Sequence, residues 1–299
     1  MNQIRGKQFR GSGVALVTPF TESGEVDYNG LRKLVTHVTE GGINYLVVLG
    51  TTGESATLTA DEKKQVIQTV IDQNAGKLPV VLGIGGNNTA AVIDAIKAQD
   101  FTGIDAILSV SPYYNKPTQE GIYQHYKAIA TSTEMPIILY NVPGRTSSNI
   151  SADTTLRLAN DFDNVIAVKE ASGDMEQIMK ISKDRPEGFL LISGDDNLTY
   201  PMIAVGGDGV ISVSGQGYPQ TFSAMVTEAL EGNFATALPK HNELFEVTQL
   251  LFAEGNPGGI KVALEAQGIC GAAVRLPLWP ISEQLTLEIV KYTKRIQNL

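Results

Sequence analysis

Residues 165–173 read VIAVKEASG, and the position of one lysine in that stretch decides how the rest of the chain is read. Val165, Ile166, Ala167 and Val168 form a short apolar run, mostly β-branched, of the kind that makes a strand buried on both faces. Lys169 follows at once, where the chain leaves that core. On its own it has two readings. A long lysine stem snorkels readily, so the ammonium reaches water and pairs with Glu170. Alternatively the amine stays poorly solvated, where burial disfavours its charged form, and serves as a nucleophile.

Working outward, seven more runs share this grammar. They are GVALVTPF (13–20), NYLVVLG (44–50), LPVVLGIGG (78–86), IDAILSVSP (104–112), MPIILYNVP (135–143), FLLISGD (189–195) and GDGVISVS (207–214). Amphipathic stretches with helix caps lie between them. Asp27 caps YNGLRKLVTHVTE ahead of Gly41 and Gly42. Thr59 and Glu62 form a capping box, and Gly76 ends that helix. Comparable segments start near Asn88, Thr118, Ser151, Asp174, Asp196 and Gln220. Eight strand–helix units predict an α/β fold of the TIM (β/α)8 type rather than an open sheet, and the first strand carries no G-x-G-x-x-G. After Glu231 the strand signals stop. About three helices, broken by Gly255–Gly259 and by PLWP, predict a small C-terminal helical domain. The expected division is 1–231 for the catalytic barrel and 232–299 for that domain.

Composition narrows the function. A hydrophobic share of 42% and a charged share of 18% over 299 residues are ordinary for a globular chain. The net charge of -9 excludes a general affinity for nucleic acid or anionic membrane, yet leaves room for a small anionic substrate. Cys270 is the single cysteine, so no disulfide forms within the chain. MNQIRGKQFRGSG leads into no signal-peptide core and no run is long enough to span a membrane, so the expected location is cytoplasmic. The triplets opening at Asn87, Asn149 and Asn197 are then chance matches to a glycosylation signal.

In such a barrel the site forms where strands end. GTTGES (50–55), SPYYNKP (111–117), YNVPGRT (140–146), Lys169, GDD (194–196) and the Ile211 region all fall there. GTTGES lacks the Gly-Lys-Ser/Thr ending of a phosphate loop, but its amides suit an anion. His37, His125 and His241 lie in helical segments, which argues against a zinc site or a Ser–His–Asp triad. Asp195 and Asp196 suit helix capping better than a metal. No nicotinamide or flavin fingerprint is present. A lysine, a tyrosine, threonines, backbone donors and an arginine on one rim suit Schiff-base chemistry on a small oxo-acid. A different aldolase and a non-catalytic sensor remain alternatives at this stage.

Taken together in order, GTTGES, SPYYNKPTQEG, YNVPGRT, VKEASG, SGDD and GGDGVISV resemble the dihydrodipicolinate synthase family. These are pyruvate-dependent lyases and aldolases that also include N-acetylneuraminate lyase. The resemblance spans essentially the whole chain. It implies condensation of pyruvate with L-aspartate 4-semialdehyde on the diaminopimelate and lysine route, with no cofactor beyond a Schiff base on Lys169. It further implies a proton relay of Tyr140, Thr51 and Tyr114, the last lent by a neighbouring subunit, and hence a tight dimer, usually doubled to a tetramer. Thr52 would hold the pyruvate carboxylate and Arg145 that of the semialdehyde, with Gly194 and Ile211 lining the pocket. Ser55, Ala56, Asn87 and Tyr113 match a regulatory lysine site. Its glutamate is replaced by Ala91 and its histidines by Ala60 and Lys63, so inhibition by L-lysine is expected to be weak or absent. GNPGGIK stands where many members have Asn-Pro-Ile-Pro-Val-Lys, and the Gly258-Gly259 pair predicts a looser loop around Asn256.

Overall fold

Eight short strands alternate with helices and close on themselves in strict sequence order, every neighbour parallel, in this computed structural model. The strands are β1 (Gly11–Ala15), β2 (Tyr45–Val48), β3 (Val80–Gly83), β4 (Ala106–Val110), β5 (Ile137–Asn141), β6 (Val165–Glu170), β7 (Leu190–Ser193) and β8 (Gly209–Ser212). The structure describes residues 6–297; Met1–Arg5 of the N-terminal segment and the final two residues lie outside it. β1 begins earlier than its apolar run because Gly11 pairs with Gly209 at the seam between β1 and β8. Gly209 has φ +146°, and a Cβ there would meet the Gly11 backbone, so the barrel closes only over glycine.

The helices are α1 (Tyr28–Glu40), α2 (Ala60–Asn74), α3 (Thr89–Ala98), α4 (Gln119–Ala130), α5 (Pro143–Thr146), α6 (Ala152–Asp161), α7 (Met175–Asp184), α8 (Thr199–Ala204), α9 (Pro219–Leu230), α10 (Phe234–Phe252), α11 (Gly258–Ala266) and α12 (Glu283–Gln297). Their starts obey the predicted caps. Asp27, Asn88, Thr118, Ser151 and Asp174 each accept from first-turn amides, and Thr59 with Glu62 forms the capping box. Such caps contribute about 1 kcal/mol apiece. α2 stops one residue early, on a left-handed Ala75 ahead of Gly76. The segment expected from Asp196 becomes the short α8, because Asp195 and Asp196 spend their carboxylates on the turn ahead of it and on the turn that follows β8.

Three apolar clusters hold the layers together. Ala15, Tyr45, Val47, Val81, Leu108, Ile138 and Ile192 fill the barrel, above a plug formed by Phe9. The outward residues of β4 to β7 meet α3, α4, α6 and α7. Those of β1 and β2 join α1, α2, α9, α10, α11 and α12 in one continuous cluster. The C-terminal helices are therefore packed against the side of the barrel that carries the turn after β2.

Candidate active site

Lys169 owes its direction to one extra residue. β5 and β6 pair as Ile137↔Val165 and then Ile138↔Ala167, so Ile166 is a bulge. Side chains alternate along a strand, and one inserted residue reverses everything beyond it. Val165 faces the surrounding helices, while Ala167 and Lys169 face the barrel and Val168 again faces outward. Without the bulge, Lys169 would share the outward face of Val165. Instead it points into the mouth of the barrel, only 5% exposed, with Nζ 4.2 Å from the centre of the Tyr140 ring. Glu170 alternates to the other side and is not its partner. That carboxylate accepts from Asn141 Nδ2 at 3.0 Å, the Ser172 amide at 2.7 Å and Gln177 Nε2 at 3.0 Å. Burial raises its pKa, and those hydrogen bonds oppose the shift.

Tyr140 is buried directly beside Lys169 in the ladder. Its hydroxyl makes no hydrogen bond to another described residue, and neither does that of Thr51. Gly194, at the end of β7, leaves the lysine stem its room: a Cβ there would lie 3.1 Å from Lys169 Cε and 2.6 Å from Ala171 Cβ. Ile211 lines the same interior from β8. Gly194 also walls a cleft of about 240 Å3 that runs outward between Asp195, Asp196, Thr248 and Phe252. Asp196 is buried there with a raised pKa, again from burial, and ties the two strand ends together through the Val213 and Ser214 amides.

The turn after β2 is built from two short 3-10 turns, Thr51–Gly53 and Ser55–Thr57, joined by Glu54 at φ +49°. Thr52 is buried, and its Oγ1 accepts from Asn256 Nδ2 at 2.9 Å. Thr18 Oγ1 donates to the Gly53 carbonyl at 2.7 Å. Glu54 is buried against Lys261 at 2.5 Å, and its second oxygen accepts from the Arg275 amide at 3.0 Å. The expectation of a loose GNPGGIK loop is corrected here. Gly258 and Gly259 lie inside α11, and a Cβ on Gly259 would lie 2.7 Å from Leu251 Cα. Gly259 lets α11 sit directly on the backbone of α10, and Gly258 makes room for Ile281.

The remaining rim residues stand open. Tyr114 is 89% exposed at φ +74°, so its phenol does not reach the barrel mouth of its own chain. Tyr113 is partly exposed, and its carbonyl accepts from Asn87 Nδ2 at 3.2 Å, close to the loop's base. Arg145 is exposed on α5 and its guanidinium makes no ion pair among the described residues. Ser55 and Ala56 lie at the outer end of the β2 turn. No cluster of three or more His, Cys, Asp or Glu suited to a metal occurs among the described residues. His37, His125 and His241 sit on α1, α4 and α10, away from the strand ends.

A closed eight-stranded barrel with a buried lysine at the end of β6 narrows the field, and comparison with known proteins resolves it. The sequence pattern of the dihydrodipicolinate synthetase family matches residues 8–296. The chain belongs to this family. Among relatives in the family, the 4-hydroxy-tetrahydrodipicolinate synthase of Flavobacterium psychrophilum is 52% identical over 290 residues, covering 97% of this chain and 99% of that protein. That of Parabacteroides distasonis is 54% identical over 91% of each. The crystal structure of the Thermotoga maritima dihydrodipicolinate synthase superposes with a TM-score of 0.94 at 39% identity, over 98% of this chain and all of that one.

Sequence reasoning missed the Glu54–Lys261 pair and the two groups that join it. Two local signals were present. Lys261 interrupts the apolar run Ile260–Leu264, and Glu54 is the one charge in a Gly-Thr turn. Neither signal names a partner that lies 207 positions away.

Proposed function

We propose that Lys169 condenses pyruvate with L-aspartate 4-semialdehyde, which makes the chain a 4-hydroxy-tetrahydrodipicolinate synthase. The observation that carries this is the lysine itself: a buried amine on a bulged strand, beside a buried phenol, in a barrel mouth with an unpaired arginine on its rim. The Lys169 amine adds to the ketone of pyruvate, and loss of water gives the imine. Loss of a methyl proton gives the enamine, whose carbon attacks the aldehyde as the aldehyde oxygen takes up a proton. Attack of the semialdehyde's amine on the imine carbon then closes the ring and returns Lys169. Tyr140, Thr51 and Tyr114 move these protons, with Tyr114 supplied by a second subunit.

Thr52 suits the pyruvate carboxylate. Its oxygen already accepts from Asn256, which leaves the hydroxyl proton to be donated to an anion. Arg145 takes the semialdehyde carboxylate as a bidentate clamp. Gly194 and Ile211 line the pocket, and no cofactor is required. In this proposal residues 1–231 are the catalytic barrel, 232–299 a helical domain bracing it, and the assembly a tight dimer, paired again, working in the cytoplasm. Among the described residues no helix is long and apolar enough to cross a membrane.

Turnover with aspartate semialdehyde but not with N-acetylneuraminate tests the substrate. Arg145→Ala should raise the semialdehyde KM about tenfold or more, as loss of a charged hydrogen bond does, and leave pyruvate binding intact. The site at Ser55, Ala56, Asn87 and Tyr113 is a remnant lacking an anionic partner at Ala91, so L-lysine should inhibit weakly or not at all. Micromolar inhibition in a steady-state assay would refute that last point.

A further inference from the structure

The Glu54–Lys261 side chains take no part in the proposed chemistry, yet Glu54 is joined through the backbone to Thr51. Lys261 is fully buried on α11. Its ammonium donates to Glu54 Oε1 at 2.5 Å and to the Ala273 carbonyl at 2.8 Å, and lies 4.3 Å from the centre of the Phe20 ring. Glu54 accepts from the Arg275 amide with its other oxygen. Its own amide donates to the Thr51 carbonyl at 3.1 Å. Any displacement of Glu54 is therefore passed to Thr51 and Thr52.

Stability alone is a poor reason for such a pair. The cost of desolvating two ions commonly cancels their attraction, and apolar residues of equal volume serve as well or better. Direction is what the charges add. Glu54 holds a left-handed backbone that a non-glycine residue adopts only under constraint, and its carboxylate is fixed from two sides. Burial lowers the Lys261 pKa and Glu54 opposes the shift, as expected for an ammonium retained for its partner.

We propose that Glu54 and Lys261 are positioning residues: their ion pair locks the turn carrying Thr51 and Thr52 to α11, so that the C-terminal helices set the aim of the pyruvate-binding groups. This rests on the assignment of Lys169 and Thr52 to pyruvate. Loss of the lock should let the turn drift, and a drift of about 1 Å costs on the order of tenfold to a hundredfold in rate.

The experiment uses the full chain in four forms: wild type, Glu54→Gln/Lys261→Met, Glu54→Asp and Arg185→Met. The last breaks the partly buried Arg185–Asp208 pair near the starts of β7 and β8, at the opposite end of the barrel. Each form is scored by Tm, by kcat and KM for pyruvate, and by the pyruvate concentration that half-saturates borohydride trapping on Lys169. The double variant should keep a Tm close to wild type while its half-saturation rises about tenfold, a loss that a purely structural role would not give. Glu54→Asp, which keeps the charge but withdraws it by one methylene, should shift half-saturation the same way. Arg185→Met should lower Tm and leave half-saturation unchanged. Wild-type half-saturation in a folded double variant or in Glu54→Asp would overturn the proposal. So would failure of both to fold, since the pair would then serve folding rather than aim. Absence of any adduct on wild-type Lys169 would instead remove the functional reading beneath it.

Discussion

Two turns on the same rim are held very differently. The turn after β2 is fastened at Thr52 by Asn256, at Gly53 by Thr18 and at Glu54 by Lys261 and Arg275. Among the described residues the loop after β4 has one side-chain tie, near its base, from Asn87 to the Tyr113 carbonyl, and then turns Tyr114 out into solvent. The first turn is complete within one chain. The second presents a bulky phenol almost fully to solvent, on a residue with a positive φ. Groups that bind must be fixed in advance, and the β2 turn meets that demand alone. A group that serves only when lent to another copy needs its fixing from that copy.

The largest test of this contrast uses two crippled variants. Lys169→Met should be inactive, and Tyr114→Phe should lose about a hundredfold in kcat, as loss of a proton carrier does. Mixed under conditions that let subunits exchange, they should recover about a quarter of wild-type activity, because half of the dimers then hold one intact site. No recovery despite proven exchange would mean that Tyr114 acts within its own chain or not at all. A smaller effect probes the fastened turn. Thr52→Val should raise the pyruvate KM about 10- to 100-fold, the loss of one hydrogen bond to a charge, and this should not depend on protein concentration.

The smallest effect is one of pH, and it should separate the two sides of the barrel. His125, on α4 beyond the β4 loop, bonds Thr89 and is pushed down by burial to about 4. A histidine lowered in the folded state binds its proton more readily when unfolded. Its contribution is therefore whole above pH 6.5, shrinks as the pH falls, and has cost on the order of 3 kcal/mol once below about 4. On the other side, Arg275 holds Glu62 down to about 2, aided by the Thr59 amide. Glu62 is also lowered on folding, so it too loses stability as the pH falls, but only through the lower window from about 4.5 down to about 2, and its ion pair is intact where His125 already titrates. Hydrogen exchange at pH 5 should show α3 and α4 loosening before α2, and His125→Asn should flatten urea stability between pH 6.5 and 4. Equal loosening of both sides would erase the contrast.

Much of this was legible in the sequence because it is local. The eight strands are short apolar runs, and six helices begin on the Asp, Asn, Thr or Ser that marks their caps. Lys169 at a strand end needed only that frame to be noticed. Its direction was not legible, since the Ile166 bulge depends on how β5 and β6 settle against each other. Nor was the fastening of the β2 turn, whose partners Asn256, in the turn before α11, and Lys261, on α11, lie more than 200 positions away. Glycines misled for a related reason. Gly258 and Gly259 suggested slack where they permit close packing, because a sequence does not say what a glycine faces, here the Ile281 side chain and the Leu251 backbone.

The central claim is that Lys169 is the amine that bonds pyruvate. Incubating the protein with pyruvate, reducing with borohydride and mapping the peptides by mass spectrometry tests it directly. One reduced pyruvate should appear on Lys169, and none on Lys261 or any surface lysine. An unmodified Lys169, or an adduct spread over other lysines, would contradict the account.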